Sequence, residues 1–309
     1  MTTLYACTAA STAARLVLVG DPHQLQAVSR GGMFAELCAT CRTVELDTIH
    51  RFRHDWEAAA SLKLRHGDPA GLTAYLAHDR IIAGPLGEHV ERIVTDWAEH
   101  HAHGLYTAIT TTTNDHVDAI NRAIQQHRLD IGQLDDTALD LGDRSFHVGD
   151  IVATRRNDRQ LRTTTGEMVR NRDYWTIDGV TVDGGLAVTR IDGHGTIILP
   201  PDYVGGHVQL GYAATEPGNQ AETADRSLTL ATPATTGRGL YVAVTRGRDD
   251  NLILVVTDTH DLGEALDTLE QILATDRADT PAIGVRRELA TAVPPPPALH
   301  PGSTIPRRF

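Results

Sequence analysis

The 309-residue sequence predicts an α/β protein with a small all-β unit inserted in it. Short β-branched runs alternate with amphipathic segments up to about residue 145 and again from Val208, the texture of repeated α/β units. Between them, short strands separated by Gly, Asp and Asn turns follow one another as in a small β-barrel. With 41% hydrophobic and 22% charged residues, the length suits about two domains and a sizeable core.

Composition narrows the class. No apolar run reaches the roughly 18 residues that would argue for a membrane span. The N-terminus lacks the basic segment that precedes a secretory signal, although its Ala, Thr and Ser residues imitate one. A cytoplasmic protein with no membrane partner is therefore expected. Cys7, Cys38 and Cys41 are an odd, small set, which fits a reducing compartment. The formal charge of −12 opposes a simple basic nucleic-acid binder. Lys63 is the one lysine among 28 basic residues, so positive charge sits almost wholly on guanidinium groups suited to phosphate, a bias that genomic composition alone also produces.

Taken in order, Arg15 to Val19 reads as a buried strand stopped by Gly20-Asp21-Pro22, with Asp21 and Gln24 at its carboxyl end, where open α/β sheets often place ligands. Gln24 could orient a water or touch a terminal phosphate, or brace its loop. Gly31-Gly32 opens a helical turn to Leu37, and Thr43 to Leu46 reads as another strand. Cys38, Cys41, His50 and His54 form Cys-x2-Cys-x8-His-x3-His, a zinc-type set whose central spacing is shorter than in zinc fingers; the alternative is two buried thiols and two surface histidines. Trp56, Ala59, Ala60, Leu62 and Leu64 make an imperfect helical stripe, preceded by Arg51 at a strand-to-helix junction.

Helical stretches are expected over Ala70 to His78 and Pro85 to His103, a strand over Tyr106 to Thr112, and a helix capped by Asn114 that carries Val117, Ile120 and Ile124 on one face. Strands of the β unit fall at His147 to Thr154, Tyr174 to Ile177, Gly185 to Thr189 and Gly195 to Leu199. Thr154 to Asp173 is rich in arginine, and Arg155 and Arg156, with Tyr174 and Trp175 as stacking faces, fit contacts to a single nucleic-acid strand; a solvated hairpin with a core Trp is the alternative. Strands then follow at Gln209 to Thr215, Arg226 to Leu230 and Asn251 to Val256, with helices at Thr236 to Arg246 and Asp261 to Ala274. The remainder, with Pro294 to Pro297, reads as a disordered or polyproline tail.

Four segments carry a resemblance. Leu18-Val-Gly-Asp-Pro-His-Gln-Leu25 resembles motif III of superfamily 1 helicases and Gly239 to Asn251 their motif VI. Thr48 to Phe52 stands in the place of motif IV, and Gly211 to Thr223 in that of motif V. Thr236 to Arg246 is most similar to the RecD-like helicase half of TraA- and TrwC-type conjugative relaxases, the MobF class. The resemblance spans about residues 1 to 258 and implies a RecA-like P-loop NTPase fold. Residues 1–50 would be the end of a first RecA-like domain, 51–145 and 207–275 a second, 146–206 an SH3-like barrel gripping single-stranded DNA, and 276–309 the tail.

The resemblance also implies roles. Gln24 would sense the γ-phosphate of ATP, while Arg51 and Arg246 would stabilise charge developing on it. Asp21 and Gln220 would complete the nucleotide site, and Arg248 would be an ion-pair partner for Asp249 or Asp250. Gln220 and Thr223 would couple the cleft to DNA, with Thr112 joining the DNA surface. ATP and Mg²⁺ would be the cofactors, and single-stranded DNA and a preceding helicase or relaxase part the partners.

The chain departs from the pattern in specific places. No Gly-x4-Gly-Lys-Ser/Thr segment occurs, and Lys63 lies in Leu-Lys-Leu. The Asp-Glu pair expected before motif III is absent, since Met1 stands where that strand would end. Pro217 replaces the usual His of motif V, and Ala221 the Gly after Gln. The expectation is a helicase portion that does not hydrolyse ATP by itself; the alternatives are a non-enzymatic DNA-binding or accessory protein and a protein-interaction module.

Overall fold

The structure, a computed structural model, describes residues 17–25, 33–45, 49, 51–219 and 223–275. It divides into two units, Met1–Pro22 with Gln26–Glu45 and Ala278–Phe309, and His23–Leu25 with Leu46–Arg277. The expected tail lies outside the described residues.

In the first unit, α1 (Met33–Thr40) is the helix expected after Gly31-Gly32. The two expected strands are corrected. Residues 17–20 and 42–45 have no regular structure, and Val17, Val19 and Val44 are 79%, 89% and 79% exposed. A strand needs a neighbouring backbone to satisfy its N–H and C=O groups. Among the described residues neither run is paired in a sheet, so β propensity alone does not make them strands.

The second unit begins with α2 (Asp55–Arg65) and α3 (Ala70–Ala77), followed by β1 (Ile81–Gly84), α4 (Leu86–Ala102), β2 (Thr107–Thr111) and α5 (Asn114–Asp130). On α2 the buried positions are Glu57, Ala60, Ser61 and Leu64, a stripe at i, i+3, i+4 and i+7, while Ala59 of the expected stripe is exposed. Helix α5 buries Val117, Ile120 and Ile124 as its periodicity predicts, but its cap is Thr113, whose hydroxyl accepts the His116 N–H, rather than Asn114.

Next come β3 (Ala138–Leu141), β4 (Arg144–His147), β5 (Ile151–Thr154), β6 (Asp158–Arg162), β7 (Met168–Val169), β8 (Tyr174–Val180), β9 (Leu186–Arg190), β10 (Thr196–Leu199), α6 (Pro201–His207) and β11 (Val208–Leu210). The chain closes through β12 (Ala213–Thr215), β13 (Ala224–Ala231), α7 (Gly237–Ala243), β14 (Gly247–Val256) and α8 (Leu262–Ala274). Asp261 caps α8 by accepting the Gly263 N–H at 2.8 Å.

Among the described residues, a parallel sheet in the order β1-β14-β13-β2-β12 forms the main layer. Its strands are mostly buried because helices cover both faces. On one side Leu64, Tyr75, Leu240, Leu269 and Ile272 pack with Ile253 and Val255; on the other Ile93, Trp97, Ile120 and Ile124 pack with Ile109, Leu228 and Leu254. A second, antiparallel sheet in the order β10-β9-β8-β5-β11 has its own core around Trp175, Phe146, Leu186, Val204 and Val208.

The run expected as one strand over Gln209 to Thr215 is instead divided between the two sheets. β11 pairs with β5, whereas β12 pairs with β2. Gly211 makes the crossing possible: a Cβ there would meet the Val152 carbonyl carbon at 3.0 Å and the Ala153 nitrogen at 3.1 Å. Tyr212, next to it, fixes the junction. Its hydroxyl donates to Asp150 Oδ1 at 2.5 Å and accepts from Arg128 at 2.8 Å, while Gln125 donates to Asp150 Oδ2 at 2.5 Å. Leu139 and Leu141 also pack on the second core, so that core begins before residue 146.

Candidate nucleotide and nucleic-acid site

Two rims of the parallel sheet collect the polar residues, and the first lies at the amino end of β14. Helix α7 is short because Thr236 caps its start, accepting the Gly239 N–H at 3.0 Å, and the chain turns at Val244. The expected helix to Arg246 thus ends at Ala243, and Thr245 and Arg246 stand in the turn that feeds the strand. Arg246 is only 1% exposed. Its Nε donates to the Val242 carbonyl at 2.7 Å, one terminal nitrogen to Thr245 Oγ1 at 3.0 Å and the other to the Asn219 carbonyl at 3.5 Å. Arg51, far away in sequence, donates to the Thr245 carbonyl, so Arg51 and Arg246 meet at one turn. Burial, together with the nearby charge of Arg248, holds the Arg51 guanidinium below its ordinary pKa.

Beneath this turn lies a buried polar clasp that sequence reasoning missed. Asn251 accepts the Gly247 N–H at 2.8 Å, donates to the Gly247 carbonyl at 3.0 Å and donates to Glu57 Oε1 at 2.8 Å. Glu57 is 1% exposed, and burial pushes its carboxyl up to about 7, helped by the charge of Asp250 and opposed by the Asn251 hydrogen bond. A hydrophilic residue interrupting the apolar face of α2 was the available signal. The expected pairing of Arg248 is corrected: Asp249 pairs with Arg53 at 3.2 Å, and Asp250 with Arg80 at 2.9 Å and Arg226 at 3.2 Å.

The second rim lies at the carboxyl ends of the strands. There Thr112, just past β2, donates to Glu216 Oε1 at 2.8 Å and shares a 2.7 Å hydrogen bond with Thr235. Thr235 Oγ1 also accepts the Thr232 N–H at 3.0 Å. The Glu216 carboxylate lies against Gly239, where a side chain would collide with it. Asn219 braces the loop after β12, donating to the Ile109 carbonyl at 2.9 Å and to Thr110 Oγ1 at 2.7 Å.

Of the remaining expected residues, Gln24 is half-buried and its carbonyl accepts from Arg238 at 3.3 Å; Asp21 and Thr223 are also half-buried. Gln220 and His50 lie outside the described residues. Cys38 and Cys41 are free thiols, His54 stacks with Trp56 at 6.4 Å, and among the described residues no group of three or more His, Cys, Asp or Glu converges on a metal position. On the antiparallel sheet, Arg156 is exposed and Arg155 and Tyr174 are half-buried. Arg156 stands over the Tyr203 ring at 5.4 Å and pairs with Asp158 at 3.4 Å. Trp175 as a stacking face is corrected. It is 0% exposed, with Nε1 directed to Thr154 at 3.4 Å and Arg190 over its ring at 5.6 Å, so no face is open to a base.

Comparison with known proteins places this geometry. The profile of an AAA domain family matches residues 1–85. The fold is that of a RecA-like helicase domain: a crystal structure of Bacteroides Pif1 bound to single-stranded DNA aligns with a TM-score of 0.52 at 16% identity, over 91% of this chain and 68% of that one. The conjugal transfer protein TraA of Agrobacterium fabrum is 31% identical over 250 residues, which is 77% of this chain and 22% of TraA. The RecBCD subunit RecD of Mycolicibacterium smegmatis is 42% identical over 88 residues, 28% of this chain and 14% of RecD. The chain is thus similar to superfamily 1 helicases, RecD-like and of the conjugative relaxase type. It spans about a fifth of the length of the TraA relatives it matches. Among the described residues no helix is long and apolar enough to cross a membrane.

Proposed function

We propose that this chain supplies the second motor domain of an ATP-dependent DNA helicase of the conjugative relaxase type. It contributes Arg51 and Arg246, with Gln24 and Gln220, to an ATP–Mg²⁺ site. The convergence of Arg51 and Arg246 on one turn supports this reading, because two guanidinium groups delivered together suit the charge that develops on a transferring phosphoryl group. In this reading the antiparallel sheet is the SH3-like barrel. Arg155, Arg156 and Tyr174 track the backbone of single-stranded DNA, and Thr112 and Thr223 line the DNA surface of the parallel-sheet domain.

The 309 residues alone have no lysine or hydroxyl set to cradle β- and γ-phosphates, so we propose that they do not hydrolyse ATP unaided. Steady-state ATPase assays on the purified chain with single-stranded DNA test this. Turnover above background that is lost in Arg246→Ala would show an autonomous enzyme and overturn it. A second reading, a DNA-binding protein without motor function, is favoured by one observation: the Arg246 guanidinium is buried and bonded to its own turn. Addition of a P-loop-containing TraA segment separates the two, since only the motor reading expects ATPase activity to appear and to depend on Arg246.

A further inference from the structure

We propose that Glu216 is a built-in competitor for nucleic-acid phosphate, holding the hydroxyl protons of the carboxyl-end rim. The inference rests on the DNA-binding reading of Thr112 and adds its regulation. In the 2.8 Å contact Thr112 is the donor and Glu216 Oε1 the acceptor, and a hydroxyl has one proton to give. The 2.7 Å contact between Thr112 and Thr235 then has Thr235 as donor. Thr235 in turn accepts the Thr232 N–H. The relay runs from Thr232 through Thr235 and Thr112 to Glu216, and both hydroxyl protons are committed to it.

A phosphate oxygen is also an acceptor and makes the same demand on Thr112. It cannot share that proton with Glu216, and it meets the carboxylate's negative charge at close range. Glu216 is itself 6% exposed and seated against Gly239, where the missing side chain leaves room for it. The carboxylate is thus a fixed occupant of the rim. Nucleic acid gains Thr112 only when the Glu216 carboxylate is moved away. Tight binding at this rim and displacement of that carboxylate are therefore coupled.

The test is fluorescence anisotropy of a labelled oligothymidylate with the full 309-residue chain, each variant first checked for a native thermal transition. Glu216→Gln keeps the shape and removes the charge; Glu216→Ala also frees the Thr112 proton. Both should bind more tightly than the parent, Glu216→Ala by about tenfold. Thr112→Val placed on top of Glu216→Ala should remove the gain that Glu216→Ala gives. Should the parent bind while neither Glu216 variant improves on it, or the gain survive Thr112→Val, the competitor role is overturned. Absence of binding by parent and variants alike instead overturns the DNA reading beneath it.

Discussion

Asn251 and Glu57 are joined by a buried 2.8 Å hydrogen bond, and the same Asn251 side chain closes a two-bond ring with the backbone of Gly247. The turn that presents Arg246 is thereby fixed from below by α2 as well as by its own short helix. Gly247 is required for this: a Cβ would collide with the Asp250 carbonyl. Asn251→Leu leaves the Gly247 N–H and carbonyl and Glu57 Oε1 without their partner. A loss of about 2–4 kcal/mol in urea unfolding is expected; a change below about 0.5 kcal/mol would deny the clasp its role.

Glu57 makes stability depend on pH. Its folded pKa of about 7 lies above the ordinary carboxylate range, so its contribution is complete below about pH 4.3 and is lost as pH rises through 7. Its Oε2 has no hydrogen-bond partner, so the ionised form leaves a charged acceptor unsatisfied. Glu57→Gln keeps the acceptor for Asn251 without the charge. It should raise the melting temperature at pH 8 and leave it nearly unchanged at pH 4, a difference on the order of 3 kcal/mol at most. The opposite pH trend would contradict the burial of this group.

Tyr212 joins the two sheets through Asp150 and Arg128. Tyr212→Phe keeps the ring against Trp97, 5.2 Å away, but strips one hydrogen bond each from a buried carboxylate and a buried guanidinium. The expected cost is about 2–3 kcal/mol. Hydrogen exchange should accelerate most at β5, β11 and β12; uniform exchange across both sheets would disprove the joint.

Trp175→Ala should act through the core of the antiparallel sheet, costing about 3–5 kcal/mol. Trp175→Phe should retain whatever single-stranded DNA binding the parent chain has. Loss of binding by a well-folded Trp175→Phe would restore the base-stacking role that its burial argues against.

Arg155→Ala with Arg156→Ala should weaken single-stranded DNA binding and lower the slope of log K against log salt by about 1.4 if each arginine meets one phosphate. An unchanged slope removes this patch from the DNA surface. Both main-chain positions are tied down: the Arg155 N–H is bonded to the His207 carbonyl, and the Arg156 carbonyl accepts from the Tyr203 hydroxyl.

The sequence by itself determined the element types wherever burial imposes a period. Val117, Ile120 and Ile124 marked α5, the apolar runs marked β2, β13 and β14, and the turn-punctuated strands marked a separate β unit. It also exposed Arg51 and Arg246 through spacing against a known motif order. Only tertiary structure decided the rest, because pairing and burial are not local properties. Arg15 to Val19 and Thr43 to Leu46 have the composition of strands, yet their described parts are paired in no sheet. Gln209 to Thr215 reads as one strand, yet Gly211 passes it between two sheets. Trp175 could stack a base or fill a core, and the choice was made by the residues around it, as was the burial of Glu57 beneath Asn251 and of Glu216 beside Thr112.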